Sequence, residues 1–120
     1  MSIALAQARD ERTLAQLDRD EEGFLLDAHD WQPGLVDAFA AEYELEMTPE
    51  RREVIEYIRS YFEQNLSVPE ARTVLKHLHT VWGKEKATRR YLYHLFPRGY
   101  GQQACKIAGM RKPRKLMLDV

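Results

Sequence analysis

Cysteine is nearly missing from this chain of 120 residues: there is one, Cys105. A single thiol cannot close an intramolecular disulfide, so no covalent framework is expected, and a reducing, cytoplasmic setting is the simpler expectation. No run approaches the roughly 20 apolar residues that a membrane span needs. The opening Met1-Ser2-Ile3-Ala4-Leu5-Ala6-Gln7-Ala8 has neither the basic start nor the long apolar core of a secretion signal. There is no linker-like tract, low-complexity stretch or internal repeat. Gly-rich phosphate loops, a nucleophile elbow and paired glycosidase-type carboxylates are also lacking, so catalysis by a conventional enzyme site is poorly supported and no cofactor is expected. Metal binding is not expected either. Of His29, His77, His79 and His94, the closest pair is two apart, which on a helix diverges by about 200°.

What is present suffices for one small core. With 44% hydrophobic and 10% aromatic residues, the chain can bury enough apolar surface to fold, and its length suits a single domain. The net charge of −1 hides a strong asymmetry. Residues 1–71 hold six Arg against seventeen Asp and Glu, a net of −11. Residues 72–120 hold twelve Lys and Arg against two acids, a net of +10. Such a split predicts either pairing between the halves or a basic face for an acidic partner or nucleic acid.

The pattern predicts a mainly α protein: an orthogonal helical bundle with a small N-terminal β-hairpin and a C-terminal arm. Residues 1–11 carry little information and read as an extension, 12–98 as hairpin plus bundle, and 99–120 as the arm of the same domain. Thr13–Leu17 and Phe24–Leu26, around a turn closed by Gly23, read as the two hairpin strands. Leu35, Val36, Phe39, Ala40 and Tyr43 recur at helical spacing, predicting a helix over 33–43 with Asp30 near its start. Thr48-Pro49-Glu50 and Ser67-Val68-Pro69-Glu70 are helix-start signals, since a hydroxyl can cap an orphan amide and proline at the first helical position loses nothing. The third helix should stop at Gly83, and a fourth should span 85–96 ahead of Pro97. A last short helix is expected over 102–108, closed by Gly109 in a left-handed conformation.

Tyr91-Leu92-Tyr93-His94-Leu95-Phe96-Pro97-Arg98-Gly99, followed by Gln103-Ala104-Cys105-Lys106-Ile107-Ala108-Gly109-Met110-Arg111-Lys112-Pro113, resembles the C-terminal signature of the DsrC/TusE family of sulfur-relay proteins. Asp20-Glu21-Glu22-Gly23-Phe24-Leu25 with Asp30-Trp31, Leu45-Glu46-Met47-Thr48 and Gly83-Lys84-Glu85-Lys86-Ala87 extend the likeness upstream. The resemblance implies a helical bundle whose C-terminal arm carries sulfur on cysteine thiols in the cytoplasm. It also implies partners of the DsrEFH or TusBCD type and a dissimilatory sulfite reductase. Two-cysteine members have a first arm thiol, which falls on Cys105, and a second eleven residues later, which falls on Leu116. The TusE branch keeps the second, so the pattern here is the reverse. One thiol can hold a persulfide or a mixed bond with a partner, whereas an intramolecular sulfur bridge is excluded.

Cys105 is therefore the candidate carrier, exposed on a mobile arm, with Lys106, Arg98, Arg111 and Lys112 as cations able to favour its thiolate. The plainer alternative is that Ala104, Cys105, Ile107 and Ala108 form the apolar side of a short docked helix, with the cysteine a small buried filler. Arg89, Arg90, Tyr93 and Tyr100 are candidates for contact with a partner. Their basic and aromatic mixture could also meet a phosphate backbone, although Tyr91, Leu92, Leu95 and Phe96 are spaced as core residues. A DNA-reading helix pair within 48–82 is disfavoured by Glu50, Glu53, Glu56 and Glu63, which would repel DNA. A non-catalytic interaction module that has lost sulfur chemistry is the alternative function.

Overall fold

The computed structural model describes residues 13–113; the expected extension over 1–11 and the arm beyond Pro113 lie outside the described residues. Five α-helices are found among the described residues: α1 Leu35–Ala41, α2 Pro49–Asn65, α3 Ala71–Trp82, α4 Arg89–Leu95 and the single turn α5 Cys105–Ile107. α2 packs on α3 and α3 on α4, while α5 packs against α1 and α2.

The expected hairpin is not observed, since the described residues contain no strand. Leu14–Gln16 is instead a 3-10 turn, with the Thr13 N–H donating to Gln16 Oε1 at 2.8 Å. One isolated antiparallel bridge joins Arg19 and Leu25. The cause is local: the Asp20 carboxylate accepts from the N–H groups of Glu22 and Phe24, both at 2.9 Å, and so winds the chain tightly through Gly23, which has φ +91°. Phe24 and Leu25 are then consecutive and both buried, whereas a half-buried strand sends successive side chains to opposite faces.

Capping decides where the helices begin. Thr48 Oγ1 accepts from Arg51 N–H at 3.3 Å and starts α2 at Pro49 as expected, with Val54, Ile55 and Ile58 inward. Gly83 ends α3 with φ +88°. By contrast, α4 begins four residues later than its apolar pattern suggests. Thr88 supplies the cap oxygen to Tyr91 N–H at 3.1 Å, which leaves 85–87 outside the helix. α1 is likewise shorter than 33–43, being preceded by Gly34 and followed by turns.

After Gly99 the chain does not enter an ordinary helix over 102–108. Tyr100–Ala104 is a π-helical turn, in which the Cys105 N–H donates to the Tyr100 carbonyl, and α5 follows. Gly109 closes it at φ +82°, as the sequence predicts. Phe96, Tyr100, Ala104, Cys105, Ile107, Ala108 and Met110 all belong to the main hydrophobic core. Burying side chains such as Ile107 and Met110 stabilises by about 1.5–3 kcal/mol each. The chain up to Met110 is thus part of the core, and exposure resumes at Arg111 and Lys112.

Candidate functional site: a docked thiol segment

Cys105 is wholly buried, with 0% of its surface exposed. This corrects the expectation of a sulfur displayed on a mobile arm and matches the plainer alternative, in which residues 104, 105, 107 and 108 face inward. The same apolar face that makes the residues helical is what the bundle covers.

Three side chains from the N-terminal half hold this segment by its backbone. Trp31 Nε1 donates to the Ile107 carbonyl at 2.9 Å. The Arg59 guanidinium donates to the Ala108 carbonyl at 3.3 Å and the Ala28 carbonyl at 2.8 Å, while Tyr43 Oη donates to the Gln102 carbonyl at 3.2 Å. Arg59 is itself buried, stacked 4.6 Å over the Trp31 ring and 5.2 Å over Phe62. A guanidinium so placed is desolvated, which is tolerable because its donors reach carbonyls and the Glu63 carboxylate. Trp31 is marked in the sequence only as part of the upstream likeness at Asp30-Trp31, and Arg59 by no motif. The one available signal for Arg59 is a cation inside the apolar stripe of α2, between Ile58 and Phe62.

The four cations expected around the thiol take defined places. Lys106 is buried, not solvated: its Nζ donates to the Glu22 carbonyl at 2.6 Å and lies 5.0 Å from the Tyr43 ring centre and 5.6 Å from that of Phe24. Lys112 forms an ion pair with Glu22. Arg98 is exposed and stacks 5.8 Å over the other contact of Lys106, the Tyr43 ring. Arg111 is exposed too, and its charge helps, after the hydrogen bonds from His29, to hold the Asp27 carboxyl below its usual range. Three of the four cations therefore gather on Tyr43 and Glu22, and the Asp20–Leu25 turn is joined to the Lys106–Lys112 stretch. Two of the expected cross-half pairs form here and at Lys86–Glu50.

The proposed partner residues divide. Arg90 is exposed, and Arg89 and Tyr93 are half-buried, so all three have surface to offer. Tyr100 has none: it is fully buried, with its hydroxyl donating to the Pro69 carbonyl at 2.6 Å. Burial first, then the charge and hydrogen bond of the neighbouring Cys105, push the Tyr100 phenol well above its ordinary pKa. His77 and His79 are engaged separately, the first with Glu53 and the second with the Ala87 carbonyl.

A mainly helical chain with its one thiol on a C-terminal segment folded back against an N-terminal turn defines a small thiol-bearing helical protein. Residues 12–117 match the family described as DsrC like protein. The sulfurtransferase TusE of Photorhabdus laumondii is 36% identical over 100 residues, covering 83% of this chain and 90% of that protein. Among solved structures, DsrC of Allochromatium vinosum superposes with a TM-score of 0.71 at 41% identity, over 82% of this chain and 88% of that one. The oxidized gamma-subunit of the dissimilatory sulfite reductase (DsrC) from Archaeoglobus fulgidus gives 0.73 at 34% identity, over 82% and 90%. This chain belongs to the DsrC family. Among the described residues no helix is long and apolar enough to cross a membrane.

Proposed function

We propose that this chain is a cytoplasmic sulfur-relay protein in which Cys105 carries sulfane sulfur as a persulfide. The observation that carries the reading is the position of the sole thiol. It lies on the Cys-Lys-Ile-Ala-Gly segment, seated by Trp31 and by the Asp20–Leu25 turn, so that the two parts of the family likeness form one structural unit. Relatives named as sulfurtransferases support the same chemistry. No observation favours the non-catalytic alternative.

The transfer is a thiol exchange. The Cys105 thiolate attacks the outer sulfur of a donor persulfide, the donor's sulfur–sulfur bond breaks, and the donor leaves as its thiolate. Cys105 gains the outer sulfur with its proton, and no external oxidant is needed. Because the sulfur is sealed, the Trp31, Arg59 and Lys106 contacts must release before exchange. Donors of the TusBCD or DsrEFH type and an acceptor such as a dissimilatory sulfite reductase fit this role, with Arg89, Arg90 and Tyr93 as surface for docking.

Mass spectrometry after incubation with a persulfide donor tests the reading. The expected result is a gain of about 32 Da, one sulfur atom, that is absent in Cys105→Ser. The same incubation on Gly109→Ala, in which the segment is loosened, guards against slow opening. No adduct on either chain would sink the proposal.

A further inference from the structure

A second sulfur on Cys105 has nowhere to go while the segment is docked. With 0% of its surface exposed, Cys105 has no adjoining space large enough for a water molecule, and a sulfur atom is larger than a water oxygen. Ala104, Ile107, Ala108 and Met110 are equally sealed, and α5 is packed against α1 and α2. The outer sulfur of a persulfide stands about 2.0 Å beyond the inner one, so it must displace either the core or the segment.

The segment cannot back away while its clamps hold. Trp31 Nε1 donates to the Ile107 carbonyl at 2.9 Å, and Lys106 Nζ to the Glu22 carbonyl at 2.6 Å. Arg59 reaches the Ala108 carbonyl at 3.3 Å. At Gly109 the fit is closer still, because an added Cβ would lie 2.3 Å from Trp31 Cδ1. Inward movement is opposed as well, since extra atoms forced into a close-packed interior strain rotamers and backbone. In the released segment the same sulfur lies in solvent and clashes with nothing.

We infer that loading is itself the signal that opens the segment: the empty carrier closes over its thiol, and the loaded carrier presents its sulfur. This rests on the persulfide-carrier reading and adds a regulation of that same site. The overpacking acts on the docked state alone, so it shifts the docking equilibrium toward release by about five- to 150-fold. Linkage makes the effect reciprocal: closing of the segment disfavours the persulfide by the same factor. An acceptor therefore meets the sulfur on a released segment, and the emptied thiol returns to its seat.

Trp31 reports the seat directly, because its indole N–H is hydrogen-bonded to the segment and the chain has only two tryptophans to resolve. Solvent exchange of that proton is followed by NMR in the full-length chain, before and after Cys105 is capped with methyl methanethiosulfonate. The cap leaves a methylthio group on the sulfur and needs no sulfur relay. It is expected to speed exchange at Trp31 at least about fivefold, while the amides of Val54, Ile55 and Ile58, buried in α2, keep their rates. A reductant that removes the cap should restore the slow rate, and a chain loaded from glutathione persulfide should behave as the capped one. Unchanged exchange at Trp31 in the capped or the loaded chain overturns the inference. So does equal acceleration at the α2 amides, since release must be confined to the segment. Failure to gain sulfur from glutathione persulfide counts against the carrier reading alone, and the capped chain then decides this inference.

Discussion

Trp31 occupies the space that a side chain at residue 109 would need. A Cβ added to Gly109 would fall 2.3 Å from Trp31 Cδ1 and 2.5 Å from its Cβ, at a backbone φ of +82°. Left-handed backbone costs a non-glycine residue about 1–2 kcal/mol before any clash. Gly109→Ala should therefore unseat the segment while leaving α2 and α3 folded. We expect native-state alkylation of Cys105 to quicken by at least about tenfold, the equivalent of 1.4 kcal/mol in the docking equilibrium. An unchanged alkylation rate would contradict this.

Arg59 holds two carbonyls from opposite ends of the sequence, those of Ala28 and Ala108. Arg59→Met preserves apolar contact with Trp31 and Phe62 but strips both carbonyls of their donor. A buried group left unpaired costs about 1–3 kcal/mol, so a loss of roughly 2–4 kcal/mol in urea unfolding is expected. Arg59→Lys keeps the charge above the rings without the planar fork needed to reach both oxygens, and should fall between the two. A Lys variant as stable as the parent chain would show that charge, not geometry, is what matters.

Acid should loosen the Arg19–Glu42 clamp. The carboxylate accepts from both terminal nitrogens of Arg19, at 3.0 and 2.6 Å, and that hydrogen bonding, followed by the charges of Arg19 and Lys106, holds Glu42 below its ordinary pKa of 4.5. A carboxyl depressed in the folded state adds stability that is fully present above the unfolded value and fades as pH falls through the folded one. Stability should thus decline below about pH 4.5. In Glu42→Gln the decline should be shallower, at a cost near neutrality below about 1 kcal/mol because the pair is partly solvated. An equally steep decline in the variant would assign the acid sensitivity elsewhere.

Much of the bundle is legible in the sequence because its helix boundaries are set by local chemistry. Thr48-Pro49 and Gly83 act through their own backbone and hydroxyl groups, and the structure places both as the pattern suggests. The turn at Asp20–Leu25 is misread as a hairpin because alternation cannot reveal that Phe24 and Leu25 are both claimed by the core. The site is legible only as a motif. Burial of Cys105 and Lys106 depends on contacts with residues 76 to 84 positions away in the chain, such as Trp31 with Ile107 and Glu22 with Lys106. No periodicity within the arm encodes these.

Lys106 offers a discrimination between two roles for a cation beside a thiol. If its charge serves to draw out the thiolate, Lys106→Met should slow reaction at Cys105. If it serves docking, the opposite should hold, and the geometry favours docking: Nζ reaches across to the Glu22 carbonyl at 2.6 Å and sits between the rings of Tyr43 and Phe24. Methionine keeps the apolar stem and loses a charged hydrogen bond worth about 1.5–3 kcal/mol, partly offset because no ammonium need then be desolvated. A net weakening of about 1–2 kcal/mol would raise the open population and the native alkylation rate roughly five- to thirtyfold. The urea-unfolded chain should react at the parent's rate to within about twofold, since exposed charges are screened there. A native rate that falls would return Lys106 to the role of thiol activator, and the docked segment would then need another anchor at its N-terminal end.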